Sequence, residues 1–125
     1  MGTFRTVLAD DDPGFRDLLA TFMRRDGRFE VIGEANDGLE AVALTQDRQP
    51  DVVILDLNMP HLHGVEALAR IRECCADVRI VVVSAILGDH SAEALMEQGA
   101  DACLSKATPA RSIVAGVAEV LGADG

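Results

Sequence analysis

Residues 51–60, Asp51-Val52-Val53-Ile54-Leu55-Asp56-Leu57-Asn58-Met59-Pro60, hold a short apolar run bounded by an acid on one side and a turn-forming proline on the other. Four consecutive apolar residues, rich in β-branched side chains, read as a strand covered on both faces, which is the mark of a parallel sheet. Asp56 then stands at the strand's carboxyl end. In open α/β sheets ligand crevices lie outside the carboxyl ends of the strands, so a lone acid there suits chemistry better than packing.

Working outward, strand-like and helix-like runs alternate five times. Thr6 to Ala9 is apolar and ends in Asp10-Asp11-Asp12-Pro13, where proline suits a first helical turn and the acids suit a positive helix N-terminus. The helix that follows runs to about Arg25, with Phe15, Leu18, Leu19 and Phe22 as its apolar stripe, and Asp26-Gly27 stops it. Phe29 to Ala35 reads as a second strand, after which Asn36 or Asp37 caps a helix bearing Leu39, Val42, Ala43 and Leu44 and ended by Pro50. Beyond the third strand, a loop leads into a helix with Val65, Leu68, Ala69 and Ile71, and Ile80 to Val83 repeats the buried-strand pattern. Gly88-Asp89 opens a fourth helix with Ala92, Leu95 and Met96 inward, closed by Gly99. Ala102 to Ser105 forms a fifth strand, and Thr108-Pro109 supplies an N-cap and first-turn proline for a last helix with Ile113, Val114, Val117, Val120 and Leu121. Strict alternation with short connections predicts an α/β fold, a doubly wound (βα)5 flavodoxin-like sandwich around a parallel five-stranded sheet of order 2-1-3-4-5.

Composition narrows the function. With 125 residues, 49% of them hydrophobic, the chain is expected to be a single domain, 1–125, with residues 3–122 as its structured core. No apolar segment approaches the roughly 20 residues a membrane helix needs, so a cytoplasmic protein without a membrane partner is expected. A net charge of −10 repels phosphate backbones, which argues against direct nucleic-acid contact by this domain. Cys74, Cys75 and Cys103 have no zinc-ligand spacing and read as reduced, small core residues, with nothing basic placed to lower a thiol pKa.

Polar residues collect on one rim: Asp10 to Asp12 after the first strand, Asp56 after the third, Ser84 after the fourth and Lys106 after the fifth. A 2-1-3-4-5 order brings Asp11 beside Asp56, and two carboxylates about 4 Å apart repel by about 4 kcal/mol at an effective dielectric of 20. A divalent cation or raised pKa values must relieve that repulsion. Two carboxylates with a main-chain carbonyl and waters match Mg²⁺, whereas His61 and His63 flank Leu62 in a turn and read as exposed loop residues. The Lys106 ammonium could balance the excess charge and grip a phosphoryl oxygen, and the Ser84 hydroxyl is the side-chain donor that its strand end offers.

This ordered set, Asp10-Asp11, Asp56 in DLNMP, Ser84-Ala85 and Lys106 in LSKAT, resembles the receiver domain of two-component response regulators over almost the whole chain. The resemblance implies that Asp56 is the nucleophile accepting a phosphoryl group from a histidine kinase. It further implies Mg²⁺ held by Asp11, Asp56 and the Asn58 main-chain carbonyl, with Asp10 acting through a metal-bound water. Phosphoryl oxygens would be bound by Lys106, Ser84, Asn58 and the Ala85 amide. Such a domain catalyses only its own phosphorylation and dephosphorylation, and its usual output is phosphorylation-dependent homodimerisation controlling transcription.

Three positions depart from the usual pattern. Ala107 follows Lys106 where many receivers have a proline, so that peptide should be trans, and the LSKAT form is similar to receivers joined to LuxR-type helix-turn-helix domains. DNA contact would come only through such a domain, outside this chain. Cys103 occupies the place of an aromatic switch residue, leaving Ser84 to carry the conformational signal, and Ile86 stands where the family tunes acyl-phosphate hydrolysis. The leading alternative is a pseudo-receiver acting as a phosphorylation-independent interaction module. An aspartyl phosphatase would want an acid where Asn58 stands, and no GxGxxG follows the first strand for a dinucleotide.

Overall fold

The computed structural model describes residues 3–59, 61–85 and 92–122. Five strands alternate with five helices: β1 (Phe4–Ala9), α1 (Pro13–Asp26), β2 (Phe29–Ala35), α2 (Gly38–Arg48), β3 (Val52–Leu55), α3 (Gly64–Cys74), β4 (Arg79–Ser84), α4 (Ala92–Glu97), β5 (Ala102–Ser105) and α5 (Ala110–Val120). Every strand pair is parallel and the sheet order is β2-β1-β3-β4-β5. The expected doubly wound fold is therefore the observed one.

Alternation of side chains along each strand divides the interior into two layers. Val7, Ala9, Val53, Leu55, Ile80 and Val82 face one way, onto Ala41 and Val42 of α2, Ala67, Leu68 and Ile71 of α3, and Leu95 of α4. Leu8, Val52, Ile54, Val81 and Val83 face the other, onto Leu19, Ala20 and Met23 of α1 and Ile113, Val114, Val117 and Ala118 of α5. The central strands are buried on both faces because a helix layer covers each, and this is why β3 reads as an unbroken apolar run. A register shift between Thr6 and Val7 leaves Ile32 as the extra residue of β2.

Helix starts follow the sequence closely at α1 and α2 and depart from it at α5. Asp12 caps α1, its Oδ1 accepting from the Gly14 and Phe15 amides at 3.0 and 3.3 Å, and Gly27 ends the helix at φ 85°. Asp37 caps α2 through the Glu40 amide at 2.8 Å, while Asn36 accepts instead from Arg16. At α5 the expectation is corrected: Pro109, not Thr108, occupies the cap position, and no side chain caps it. The reason lies upstream, where Ser105 turns the chain early by accepting from the Ala107 amide through its hydroxyl and from the Thr108 amide through its carbonyl. Gly99 takes a positive φ of 121°, as expected of a residue closing the fourth helical unit. The expected helix start at Gly88-Asp89 and the turn at Pro60 lie outside the described residues.

Five expected inward positions point out instead. Leu18, Leu39 and Met96 are about half exposed, and Ala43 and Ala69 are exposed. Whereas α5 buries Ile113, Val114 and Val117 as expected, in α1, α2 and α3 the buried stripe is shifted by up to about one residue from the apolar count. It runs through Phe15, Leu19, Phe22 and Met23 in α1, Gly38, Ala41, Val42 and Thr45 in α2, and Gly64, Ala67, Leu68 and Ile71 in α3. Small residues take the inward places where a helix lies close to the sheet or a loop. A Cβ on Gly38 would stand 2.8 Å from the Leu62 Cβ, so only glycine admits that approach.

Candidate functional site

At the carboxyl rim, β1, β3, β4 and β5 deliver their last residues to one place. Pairing of Ala9 with Leu55 sets Asp10 and Asp56 side by side, and the Asp56 amide donates to the Ala9 carbonyl at 2.9 Å. Asp10, Asp11 and Asp56 each bring a carboxylate oxygen within 4.8 Å of the others. Asp10 and Asp56 are buried, whereas Asp11 is exposed. Pairing of Ser84 with Ser105 puts Lys106 just beyond, its amide donating to the Ser84 carbonyl at 3.0 Å. From there the ammonium reaches back to Asp10 Oδ2 at 2.8 Å and Asp56 Oδ2 at 3.3 Å.

The second Asp56 oxygen, Oδ1, accepts from the Asn58 amide at 3.2 Å, and Asn58 Nδ2 donates to the Ser84 hydroxyl at 3.2 Å. Asp10 Oδ1 accepts from the Asp12 amide at 2.8 Å. The loop after β3 is held by the Gly64 amide, which donates to the Leu57 carbonyl at 3.0 Å; a Cβ on Gly64 would lie 2.6 Å from the Asp56 carbonyl oxygen. A glycine at the start of α3 thus lets that helix close on the turn that carries Asp56. Ala85 is exposed at the rim beside Ser84, and the Lys106–Ala107 peptide is trans. Ile86 lies outside the described residues.

Burial is the main force on Asp56 and pushes its carboxyl above the usual carboxylate range. The nearby Asp10 charge adds to that rise, while the Asn58 amide and the Lys106 ammonium oppose it. Burial pulls Lys106 the other way, toward neutrality, but its contacts with Asp10 and Asp56 outweigh this and its pKa is raised. A protonated lysine beside a hindered, partly desolvated carboxylate is an arrangement poised to take up more positive charge or a phosphoryl group. The three carboxylates offer oxygen only, and among the described residues neither histidine nor cysteine joins them. His61 and His63 are exposed, as expected. This hard donor set fits Mg²⁺ in kind.

Two residues at the site escaped the sequence reading. The Lys106 ammonium lies over the Phe15 ring, 4.7 Å from its centroid, so an aromatic that reads as core also fixes the lysine. Arg16 donates to the Asp10 carbonyl at 2.6 Å and to Asn36 Oδ1 at 2.8 Å, and pairs with Glu34 at 3.1 Å. Nothing in a helical period separates a ring that packs from one that also underlies a cation. Arg16, one turn past the Asp12 cap, carries at most a weak signal.

The family description "Response regulator receiver domain" matches residues 6–118. This chain belongs to the response regulator receiver family. The receiver is 37% identical over 109 residues to the transcriptional regulatory protein LiaR of Bacillus subtilis, covering 87% of this chain and 52% of LiaR. It is 30% identical to the chemotaxis protein CheY of Halobacterium salinarum, across 94% of this chain and 96% of CheY. Among solved structures, the signal receiver domain of a NarL response regulator from Mycobacterium tuberculosis superposes with a TM-score of 0.89 at 31% identity. That match covers 98% of this chain and 99% of the NarL domain. The receiver thus spans about half the length of LiaR and nearly all of CheY. Receivers of this family are phosphorylation-dependent signalling modules, generally without enzymatic activity of their own, that interact with histidine kinases or phosphatases. No helix among the described residues is long and apolar enough to cross a membrane.

Proposed function

We propose that Asp56 is the phosphoacceptor of this receiver. The observation that carries the reading is the convergence of three carboxylates and one ammonium: Asp10, Asp11 and Asp56 within 4.8 Å of one another, with Lys106 bridging two of them. In this reading an Asp56 carboxylate oxygen attacks the phosphorus of a phosphohistidine in line. The new O–P bond forms as the P–N bond breaks, and the imidazole leaves with a proton. The transferring group is spread out and anionic, so catalysis is mainly positioning and charge compensation.

Asp11, Asp56 and the Asn58 main-chain carbonyl would hold Mg²⁺, with Asp10 acting through water. When bound, the ion supplies positive charge that neutralises the carboxylates and the incoming phosphoryl oxygens. Lys106 keeps its proton and moves from the Asp56 oxygen to a phosphoryl oxygen. Ser84 exchanges its Asn58 partner for a second phosphoryl oxygen, with the Ala85 amide and Asn58 beside it. Because Cys103 has no ring to swing, displacement of Ser84 and of the segment after β4 carries the signal.

The same reading takes residues 1–125 as one receiver domain in the cytoplasm, phosphorylated by a histidine kinase and answering by homodimerisation. Ala107 after Lys106 supports kinship with receivers joined to LuxR-type domains, through which alone DNA would be contacted. The deciding experiment incubates the protein with acetyl phosphate and Mg²⁺ and weighs it intact. Wild type should gain one phosphoryl group and Asp56→Asn none; equal uptake by both, or uptake by neither, overturns the assignment.

A further inference from the structure

The sequence reads Cys74 and Cys75 as small core residues; the structure buries only the second. Cys74 is the last residue of α3 and is exposed, whereas Cys75 is buried. Neighbouring residues on a helix point about 100° apart and do not face each other. Here the helix stops between them: Cys75 has φ −138° and ψ 78°, and this extended step swings its side chain back beside its neighbour. The two Sγ atoms come to 2.9 Å. Weak contacts seat the pair, from the Gln49 amide to Cys75 Sγ at 3.7 Å and from Cys74 Sγ to the Ile71 carbonyl at 3.4 Å.

The sulfurs border a recess of 580 Å³ at the amino ends of the strands, lined also by Phe4, Gln49, Asp51, Asp77 and Arg79. That is the end of the sheet opposite Asp56. Burial, reinforced by the adjacent Cys74 thiol, pushes Cys75 up to about 11, so the buried sulfur stays protonated at neutral pH. A thiol of this kind is a slow nucleophile in disulfide exchange. Among the described residues no third cysteine, histidine or acid completes a metal-ligating group with the pair. What the arrangement suits is a centre that takes both sulfurs at once and removes their protons as water.

We propose that Cys74 and Cys75 form a dithiol site for a trivalent, thiophilic arsenical. A monosubstituted arsenic(III) oxide, R–As=O, condenses with the pair: two S–H bonds break, two As–S bonds form, and the oxygen leaves as water with both protons. Arsenic stays trivalent throughout, so no oxidant or reductant is needed. The product is one small ring closing the end of α3 onto the residue that follows it. Its stability against a competing monothiol comes from the second sulfur, held beside the first by the chain.

The test uses the reduced full chain with phenylarsine oxide, followed by excess glutathione and intact-mass measurement. Wild type and Cys103→Ser should each retain one phenylarsenic group, released on adding ethanedithiol. Cys74→Ser should lose it about 100-fold faster or more, the gain expected of a second tethered contact. Cys75→Ser alters a buried position, so the exposed Cys74→Ser carries the comparison. Release from wild type as fast as from Cys74→Ser, or retention that requires Cys103, overturns the proposal. Asp56→Asn should bind the arsenical as wild type does, since the two sites lie at opposite ends of the sheet; weaker binding by that variant also counts against a separate site.

Discussion

Replacing Asp56 by asparagine should make this protein more stable, although it removes the centre of the site. An Asp56 oxygen lies within 4.8 Å of oxygens on Asp10 and Asp11 and 3.3 Å from Lys106 Nζ. At an effective dielectric of 20, the buried Asp10 carboxylate repels Asp56 by about 3.5 kcal/mol and the ammonium attracts it by about 5 kcal/mol, so the two charges largely offset each other, while Asp11 is exposed and screened by solvent. Burial, the largest influence on Asp56, decides the balance in favour of the neutral form and raises its pKa. An isosteric amide removes the charge, and each kcal/mol so gained amounts to about 4 °C in Tm for a chain of this length.

The sign of the pH dependence follows from the raised pKa. An acid that ionises less readily in the folded state destabilises the fold as pH climbs from its unfolded to its folded value. The advantage of Asp56→Asn should therefore be full at neutral pH and vanish in acid, where the wild-type carboxyl is protonated. Thermal unfolding in EDTA, followed by circular dichroism between mildly acidic and neutral pH, measures it. Millimolar Mg²⁺ should raise the wild-type Tm more than the variant's and narrow the gap, because a ligand of the native state stabilises in proportion to its occupancy. A variant less stable than wild type in EDTA at neutral pH would refute the electrostatic account.

The remaining predictions probe the supports of the site. Phe15→Leu removes a cation–π contact with Lys106 of about 1 kcal/mol, so acetyl phosphate labelling should slow about fivefold while Phe15→Tyr stays near wild type. Labelling unchanged in Phe15→Leu would confine the ring to packing. Gly64→Ala forces a methyl against Leu57 and the Asp56 carbonyl and should lower stability by about 1–3 kcal/mol, read by urea unfolding. A neutral effect would mean that the start of α3 yields freely. Beryllofluoride with Mg²⁺ should draw Ser84 away from its 3.2 Å contact with Asn58, visible in a structure of that complex; an unmoved Ser84 excludes it as the switch.

What the sequence determined by itself was local. Unbroken apolar runs such as Val52 to Leu55 exist because both faces of β3 are covered, and the acids and glycines at Asp12, Gly27 and Asp37 mark helix ends by chemistry that acts within a few residues. Asp56 was legible because a charged residue at the end of such a run cannot be explained by packing. The Asp10, Asp11, Ser84 and Lys106 partners were legible only as strand-end polar residues, joined into one site by the expected sheet order and by resemblance to a family. Which side of each helix faces inward was decided by tertiary contact. Leu39 was displaced outward because Gly38, Ala41 and Thr45 fit the close approach of α2, and Leu18 and Met96 because their neighbours Leu19, Met23 and Leu95 take the inward places of α1 and α4. The ring of Phe15 under Lys106, the grip of Arg16 on the Asp10 carbonyl and the meeting of the two thiols past α3 belong to the tertiary structure alone. Each joins groups whose relation depends on where separate elements stop, and no periodicity in a linear chain records that distance.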